Sequence, residues 1–168
     1  YMPFGSAPER LENIRTLGAE AEIIHGNYDD AVRLAAKQAE EQGWLLVQDT
    51  AWDGYEDIPQ WIMEGYCTMG LEALEQLNDA PTHIFLQAGV GSMAGAMAGL
   101  FTAGLKEKPT IVIVEPNKAD CIFRTAEADD GQLRTVTGSM DTIMAGLACG
   151  EPCSLGWEVL KNAASHFI

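Results

Sequence analysis

The sequence predicts an α/β fold, a mostly parallel sheet with helices on both faces in three αβα layers. Three observations predict it. Apolar runs of strand length alternate with segments of helical periodicity along the chain, the pattern of βαβ units with right-handed crossovers. Two of the runs, residues 82–87 and 110–114, are of the continuously apolar kind found in strands covered on both faces. The 168 residues, 47% of them hydrophobic, suffice for one sizeable core.

Each element has its own signal. Ser6 and Glu9 stand at capping-box spacing with Pro8 in the first turn, and Leu11, Ile14 and Leu17 recur at helical intervals until Gly18; a short helix is predicted there. Residues 21–25 read as a strand. Asn27 can cap a second helix with Ala31, Leu34, Ala35 and Ala39 on one face and Gly43 as its stop. Residues 44–48 read as a buried strand, followed by a polar, aromatic loop over 49–57. A long helix from about 58 to 77 shares Ile58, Trp61, Ile62, Gly65 and Met69 on one face. The strand at 82–87 runs into Ala88-Gly89-Val90-Gly91-Ser92-Met93-Ala94-Gly95, and a helix rich in Ala, Gly and Met continues to near Gly104. The strand at 110–114 is closed by Glu115-Pro116-Asn117. The remainder reads as helical segments around 142–149, with a buried Met and Ala stripe, and around 155–164.

Charge and composition exclude several classes. With 25 acidic against 10 basic residues the formal charge is -15, and the basic residues form no stripe; nucleic acid and anionic membrane are not expected partners. No apolar run approaches the roughly 20 residues that span a bilayer, and Tyr1-Met2-Pro3-Phe4-Gly5 has neither the charged nor the apolar region of a signal peptide. A cytoplasmic location is expected. The Tyr-Met-Pro start reads as the tail of a strand, so the chain is expected to be a fragment. The four cysteines, Cys67, Cys121, Cys149 and Cys153, are expected as free thiols. Cys149 and Cys153 lack a second pair or a nearby histidine, so no metal is expected. His25, His83 and His166 lie in separate segments, which argues against a nucleophilic triad.

The strand, glycine-rich turn and helix over 82–104 form the strongest site signal. Small residues let backbone N–H groups converge on an anion, and the helix adds its positive end. A phosphorylated ligand is therefore expected, the bland alternative being a tight crossover whose glycines serve packing. Two cofactors fit the spacing. Gly89, Gly91 and Ala94 satisfy the dinucleotide pattern G-x-G-x-x-A, and Glu115 ends the next strand where a ribose-binding acid is expected, which suits a nicotinamide-dinucleotide oxidoreductase module. Against it, strands precede this turn, whereas the fingerprint usually follows the first strand of its domain. Pro116 also follows Glu115 at once. A phosphate monoester needs only the cradle. A non-enzymatic, acidic α/β ligand-binding domain is the third reading.

The segment 88–95 resembles the phosphate loop of the threonine-dehydratase-like, fold type II pyridoxal-phosphate enzymes. Met2-Pro3 through Ser6-Ala7-Pro8-Glu9-Arg10 and Asn13-Ile14-Arg15-Thr16-Leu17-Gly18-Ala19 are similar to that family's small-domain helix and the strand after it. Gln48-Asp49-Thr50-Ala51-Trp52-Asp53-Gly54-Tyr55, Val114-Glu115-Pro116-Asn117-Lys118-Ala119-Asp120-Cys121 and Met144-Ala145-Gly146-Leu147-Ala148-Cys149-Gly150-Glu151-Pro152 resemble its diaminopropionate ammonia-lyase branch. The likeness spans nearly the whole chain. It implies an incomplete tryptophan synthase β-like fold, with residues 1–43 in the smaller domain and 44–168 in the larger, cofactor-binding one. It also implies a homodimer, pyridoxal 5'-phosphate as cofactor and 2,3-diaminopropionate as substrate. The implied reaction is an α,β-elimination: a base of the protein removes the Cα proton, the β-amino group leaves as ammonia, and hydrolysis yields pyruvate and a second ammonia.

Site residues follow from the same likeness. Gly89, Val90, Gly91, Ser92 and Met93 would bind the cofactor phosphate. Asp49 matches an active-site aspartate of the branch and lies just beyond the 44–48 strand, where open α/β sheets place ligands; it would take the Cα proton or hold the β-ammonium, while its residue type alone suits a loop cap. Glu115 would sit near the cofactor ring and orient it, or stand solvated at a strand end. Trp52 and Tyr55 either wall the pocket or pack on each other. The resemblance puts the Schiff-base lysine upstream of Tyr1. Lys37, Lys106, Lys108, Lys118 and Lys161 fall in polar contexts, unsuited to an amine that must be partly desolvated to react. The chain by itself is therefore expected to lack ammonia-lyase activity.

Overall fold

The computed structural model describes all 168 residues, Tyr1 to Ile168. The chain forms two compact units, Tyr1–Leu46 and Val47–Ile168.

The first unit holds α1 (Pro8–Thr16) and α2 (Tyr28–Gln42). The start of α2 is a reciprocal capping box: the Asn27 side chain accepts the Asp30 N–H, and the Asp30 carboxylate accepts the Asn27 N–H, each at 2.9 Å. Gly43 closes it in the left-handed region at φ 69°. No such box forms at α1, because its cap position is Ala7 rather than Ser6. The strand expected over 21–25 reduces to one parallel bridge, Met2 to Ile23, flanked by Met2 N–H to Glu22 O and Ile24 N–H to Met2 O, both 2.9 Å. The strand expected over 44–48 is absent. That stretch is irregular, and Trp44, Leu45 and Val47 are exposed. An apolar run becomes a strand only as part of a ladder with a second segment, and residues 44–48 join no ladder here.

The second unit runs α3 (Asp57–Gln76), β1 (His83–Gln87), α4 (Ser92–Gly104), β2 (Thr110–Val114), α5 (Cys121–Ala128), α6 (Ser154–Ala163) and β3 (His166–Phe167). The strands form one parallel sheet in the order β1-β2-β3. Gln87 lies opposite Val114, and Ile113 opposite Phe167. The central strand behaves as its apolar run predicts, with Ile111 and Ile113 fully buried; burying each contributes about 1.5–3 kcal/mol. β1 departs from expectation. It is an edge strand covered on one face, with Leu86 buried and Phe85 65% exposed.

α4 is the hub of this unit and packs on α3, α6 and β1. Its glycines bring backbones together: a Cβ on Gly95 would lie 2.9 Å from Gly156 Cα of α6, so no side chain can stand between the two helices. α5 and β3 are not among the expected elements, although Cys121, Ile122 and Thr125 of α5 share a buried face at helical spacing. The helix expected over 142–149 is a single 3-10 turn, Ala145–Leu147, and Ile143 and Met144 are exposed. Gly146 weakens helix formation there, and no element covers the Met and Ala stripe.

Candidate functional site

The chain leaves β1 at Gln87 and turns through residues 88–91 into α4. Ala88 still belongs to the sheet ladder, its N–H donating to the Val114 carbonyl at 3.0 Å. From Gly89 to Ala94 the backbone N–H groups donate to nothing within the chain, and bonding resumes at Gly95 N–H to Gly91 O, 2.8 Å. Three of these donors are the orphans of the first turn of α4. Val90, Ser92 and Ala94 are buried, where idle donors are costly. An anion at this helix end would satisfy them and be favoured by the helix dipole.

The turn is braced tightly enough to hold that shape. Gly91 sits at φ +96°, and a Cβ on it would meet Ile122 Cδ1 at 3.0 Å; only glycine adopts this backbone without strain. From the other side, a Cβ on Gly156 would lie 2.6 Å from the Gly91 carbonyl oxygen. The residues present thus fit a phosphate monoester, which needs convergent N–H donors and room for close backbone approach.

Ser92 links the turn to the second element of the site. Its hydroxyl donates to the Asp49 carbonyl at 2.8 Å, and the Asp49 carboxylate accepts the Tyr66 hydroxyl on Oδ2 at 2.7 Å. Asp49 Oδ1 has no hydrogen bond within the chain. Cys153 stitches the pieces together: its N–H donates to Val90 O at 2.7 Å, and its sulfur accepts the N–H groups of Ala51 at 3.3 Å and Gly156 at 3.5 Å. Ser154 N–H donates to Ala51 O at 3.1 Å. The Asp49 loop, the glycine-rich turn and the start of α6 therefore form one fabric. Gln48 Nε2 and Ser154 Oγ are buried without a partner.

Glu115, one residue beyond β2, has a different setting. Its carboxylate accepts the N–H groups of Ile122 at 3.0 Å and Phe123 at 2.6 Å, capping α5. It is not the solvated strand-end acid that was one reading of its position. Burial pushes its carboxyl up to about 7, outweighing the two N–H bonds, with a smaller upward push from Asp120. The neighbouring Cys121 thiol donates to the Gly89 carbonyl at 3.5 Å, tying this cap to the turn as well.

The loop aromatics pack on each other. Trp52 and Tyr55 stack at 4.7 Å between ring centroids, and the Tyr55 hydroxyl lies 3.2 Å from Gln48 N and 3.5 Å from Gln48 O. All five lysines are exposed. No group of three or more His, Cys, Asp or Glu side chains is arranged to hold a metal, and no helix is long and apolar enough to cross a membrane. An open cavity of about 450 Å³ lies along Asp120, Phe123, Arg124 and Arg134; it includes none of the turn residues, and its arginines are paired with Asp120 and Asp130.

Sequence reasoning missed Tyr66 and Cys153. Nothing in its spacing marks Tyr66, whose bond to Asp49 joins residues 17 positions apart. Cys153 had a signal, since it precedes Ser154 at the start of a helical pattern and occupies the cap of α6, a place where a side chain commonly accepts an N–H.

The family model for pyridoxal-phosphate-dependent enzymes matches residues 1–168. A diaminopropionate ammonia-lyase from Salmonella typhimurium is 54% identical over all of this chain, which covers 43% of that protein. An Escherichia coli diaminopropionate ammonia-lyase is 53% identical over the same span, also 43% of its length. The crystal structure of the selenomethionine-incorporated holo enzyme from Escherichia coli superposes with a TM-score of 0.90 at 51% identity, covering 99% of this chain and 42% of that one. A tomato (Solanum lycopersicum) threonine deaminase shares the fold at a TM-score of 0.78 and 20% identity, over 99% of this chain and 45% of that one. The chain thus spans less than half the length of the diaminopropionate ammonia-lyases it matches. It belongs to the family of pyridoxal-phosphate-dependent enzymes.

Proposed function

We propose that the protein to which this chain belongs eliminates ammonia from 2,3-diaminopropionate and hydrolyses the product with one water, yielding pyruvate and two ammonia molecules in all. The observation that carries the reading is the pairing of a row of turn N–H donors without acceptors in the chain, residues 89–94, with Asp49, whose carbonyl Ser92 binds beside them. The 54% identity to the Salmonella typhimurium diaminopropionate ammonia-lyase supports the choice of substrate.

In this reading Gly89, Val90, Gly91, Ser92 and Met93 hold the phosphate of pyridoxal 5'-phosphate through backbone N–H groups. The bound cofactor supplies an electron sink for the pair left at the substrate Cα. Asp49 Oδ1 takes the Cα proton. Glu115 serves the cofactor site indirectly, by fixing the start of α5 against the turn. The lysine that carries the cofactor is none of the five in this chain, since each is exposed and a reactive amine needs desolvation; the 168 residues alone are therefore inactive. Residues 1–43 belong to the smaller domain and 44–168 to the larger. A homodimer in the cytoplasm is supported by four free cysteines and by the exposed Phe85 on an unpaired strand edge.

The test is pyruvate release from 2,3-diaminopropionate by the whole protein, with thermal unfolding measured against added pyridoxal phosphate and NAD. Pyruvate release and stabilisation by pyridoxal phosphate are expected. Stabilisation by NAD alone would overturn the reading in favour of a nicotinamide module.

A further inference from the structure

We propose that Tyr66 is the positioning residue of the Asp49 carboxylate, a role that rests on reading Asp49 as the base. The hydroxyl of Tyr66 donates to Asp49 Oδ2 at 2.7 Å, the length of a good O–H···O bond and stronger for ending on a carboxylate. No lysine or arginine pairs with Asp49, so this phenol is the one side chain that fixes the direction of the carboxylate. Held by Oδ2, the group presents Oδ1, which has no partner in the chain.

The residue is anchored at both ends. Its carbonyl is bound by Ser92 Oγ at the start of α4, and its carboxylate by a tyrosine in the middle of the 20-residue α3, which packs on α4. Loop residues otherwise place a reacting atom poorly, and a hydrogen bond from a rigid helix corrects this. Tyr55 makes the contrast: its hydroxyl bonds the backbone of Gln48, seven residues away, and steadies the loop.

The test compares Tyr66→Phe, Asp49→Asn and the double variant in the cofactor-loaded whole enzyme, reading kcat and KM for 2,3-diaminopropionate, cofactor absorbance and melting temperature. Y66F removes one oxygen and keeps the ring. Its kcat is expected to fall by about tenfold, the cost of one hydrogen bond to a charged group, with KM, absorbance and melting temperature nearly unchanged. On the D49N background the same change should cost nothing further, because the group it positions is gone. An inactive D49N beside a fully active Y66F would overturn the inference and leave the base assignment standing. A Y66F whose loss tracks a lowered melting temperature, or adds fully to that of D49N, would reduce Tyr66 to packing and overturn it too. A fully active D49N would instead remove the base assignment itself, and the inference with it.

Discussion

Asp49 and Glu115 approach the same glycine-rich turn from two directions and are held in opposite ways. Glu115 gives its oxygens to the N–H groups of Ile122 and Phe123, and burial pushes its carboxyl up to about 7. Asp49 gives one oxygen to a side chain, Tyr66, and keeps the other without a partner. Both follow directly on apolar runs, 110–114 and 44–48, so position along the chain cannot separate the cap from the proposed base. What the second oxygen touches separates them.

The largest effect expected from breaking this contrast is on rate. Asp49→Asn in the whole enzyme should lower kcat by about 10²- to 10⁴-fold, the range for losing a positioned base, with turnover of 2,3-diaminopropionate as the readout. Next is the turn to which both acids are tied. Gly156→Ala would drive a Cβ to within 2.6 Å of the Gly91 carbonyl oxygen; chemical denaturation should show a loss of about 1–3 kcal/mol, with weaker cofactor binding because the turn must move.

Glu115→Gln sharpens the comparison through pH. The carboxyl holds its proton up to about 7 in the fold against an ordinary 4.5, so between those values the folded state binds more protons than the unfolded one. Stability from this group is complete below pH 4.5 and is lost as pH rises through 7. The whole swing is about 3 kcal/mol for a largely buried carboxyl. E115Q cannot titrate, and its stability measured from pH 4.5 to 7.5 should lose that downward slope. The smallest effect is the control. Leu45, four residues before Asp49, is 78% exposed, and Leu45→Ser should change the stability of this chain by less than about 0.5 kcal/mol.

Much of the architecture was legible because the signals were local. The capping residue Asn27 and the stop Gly43 delimit α2, and the β2 run is the strand Thr110–Val114, where each residue's neighbours in sequence decide its fate. The misreadings have a common physical origin. Residues 44–48 have strand composition, but pairing is a property of two segments, and no ladder forms there. The stretch 142–149 has the composition of α4, yet α4 is buried by α3 and α6 while Ile143 is 99% exposed. At the site, the glycine-rich turn was visible as a motif because the close backbone approaches at Gly91 and Gly95 leave room only for small residues in a row. The Tyr66 to Asp49 bond was not, since a contact between a helix and a loop leaves no period in the sequence.

The most direct measurement is a crystal structure of the cofactor-loaded whole enzyme, read at the phosphate. The expected result is phosphate oxygens about 3 Å from N–H groups of residues 89–93, with Asp49 Oδ2 still on Tyr66 and Oδ1 turned toward the substrate side. A phosphate bound by other residues, with the turn donors left to solvent, would contradict the account.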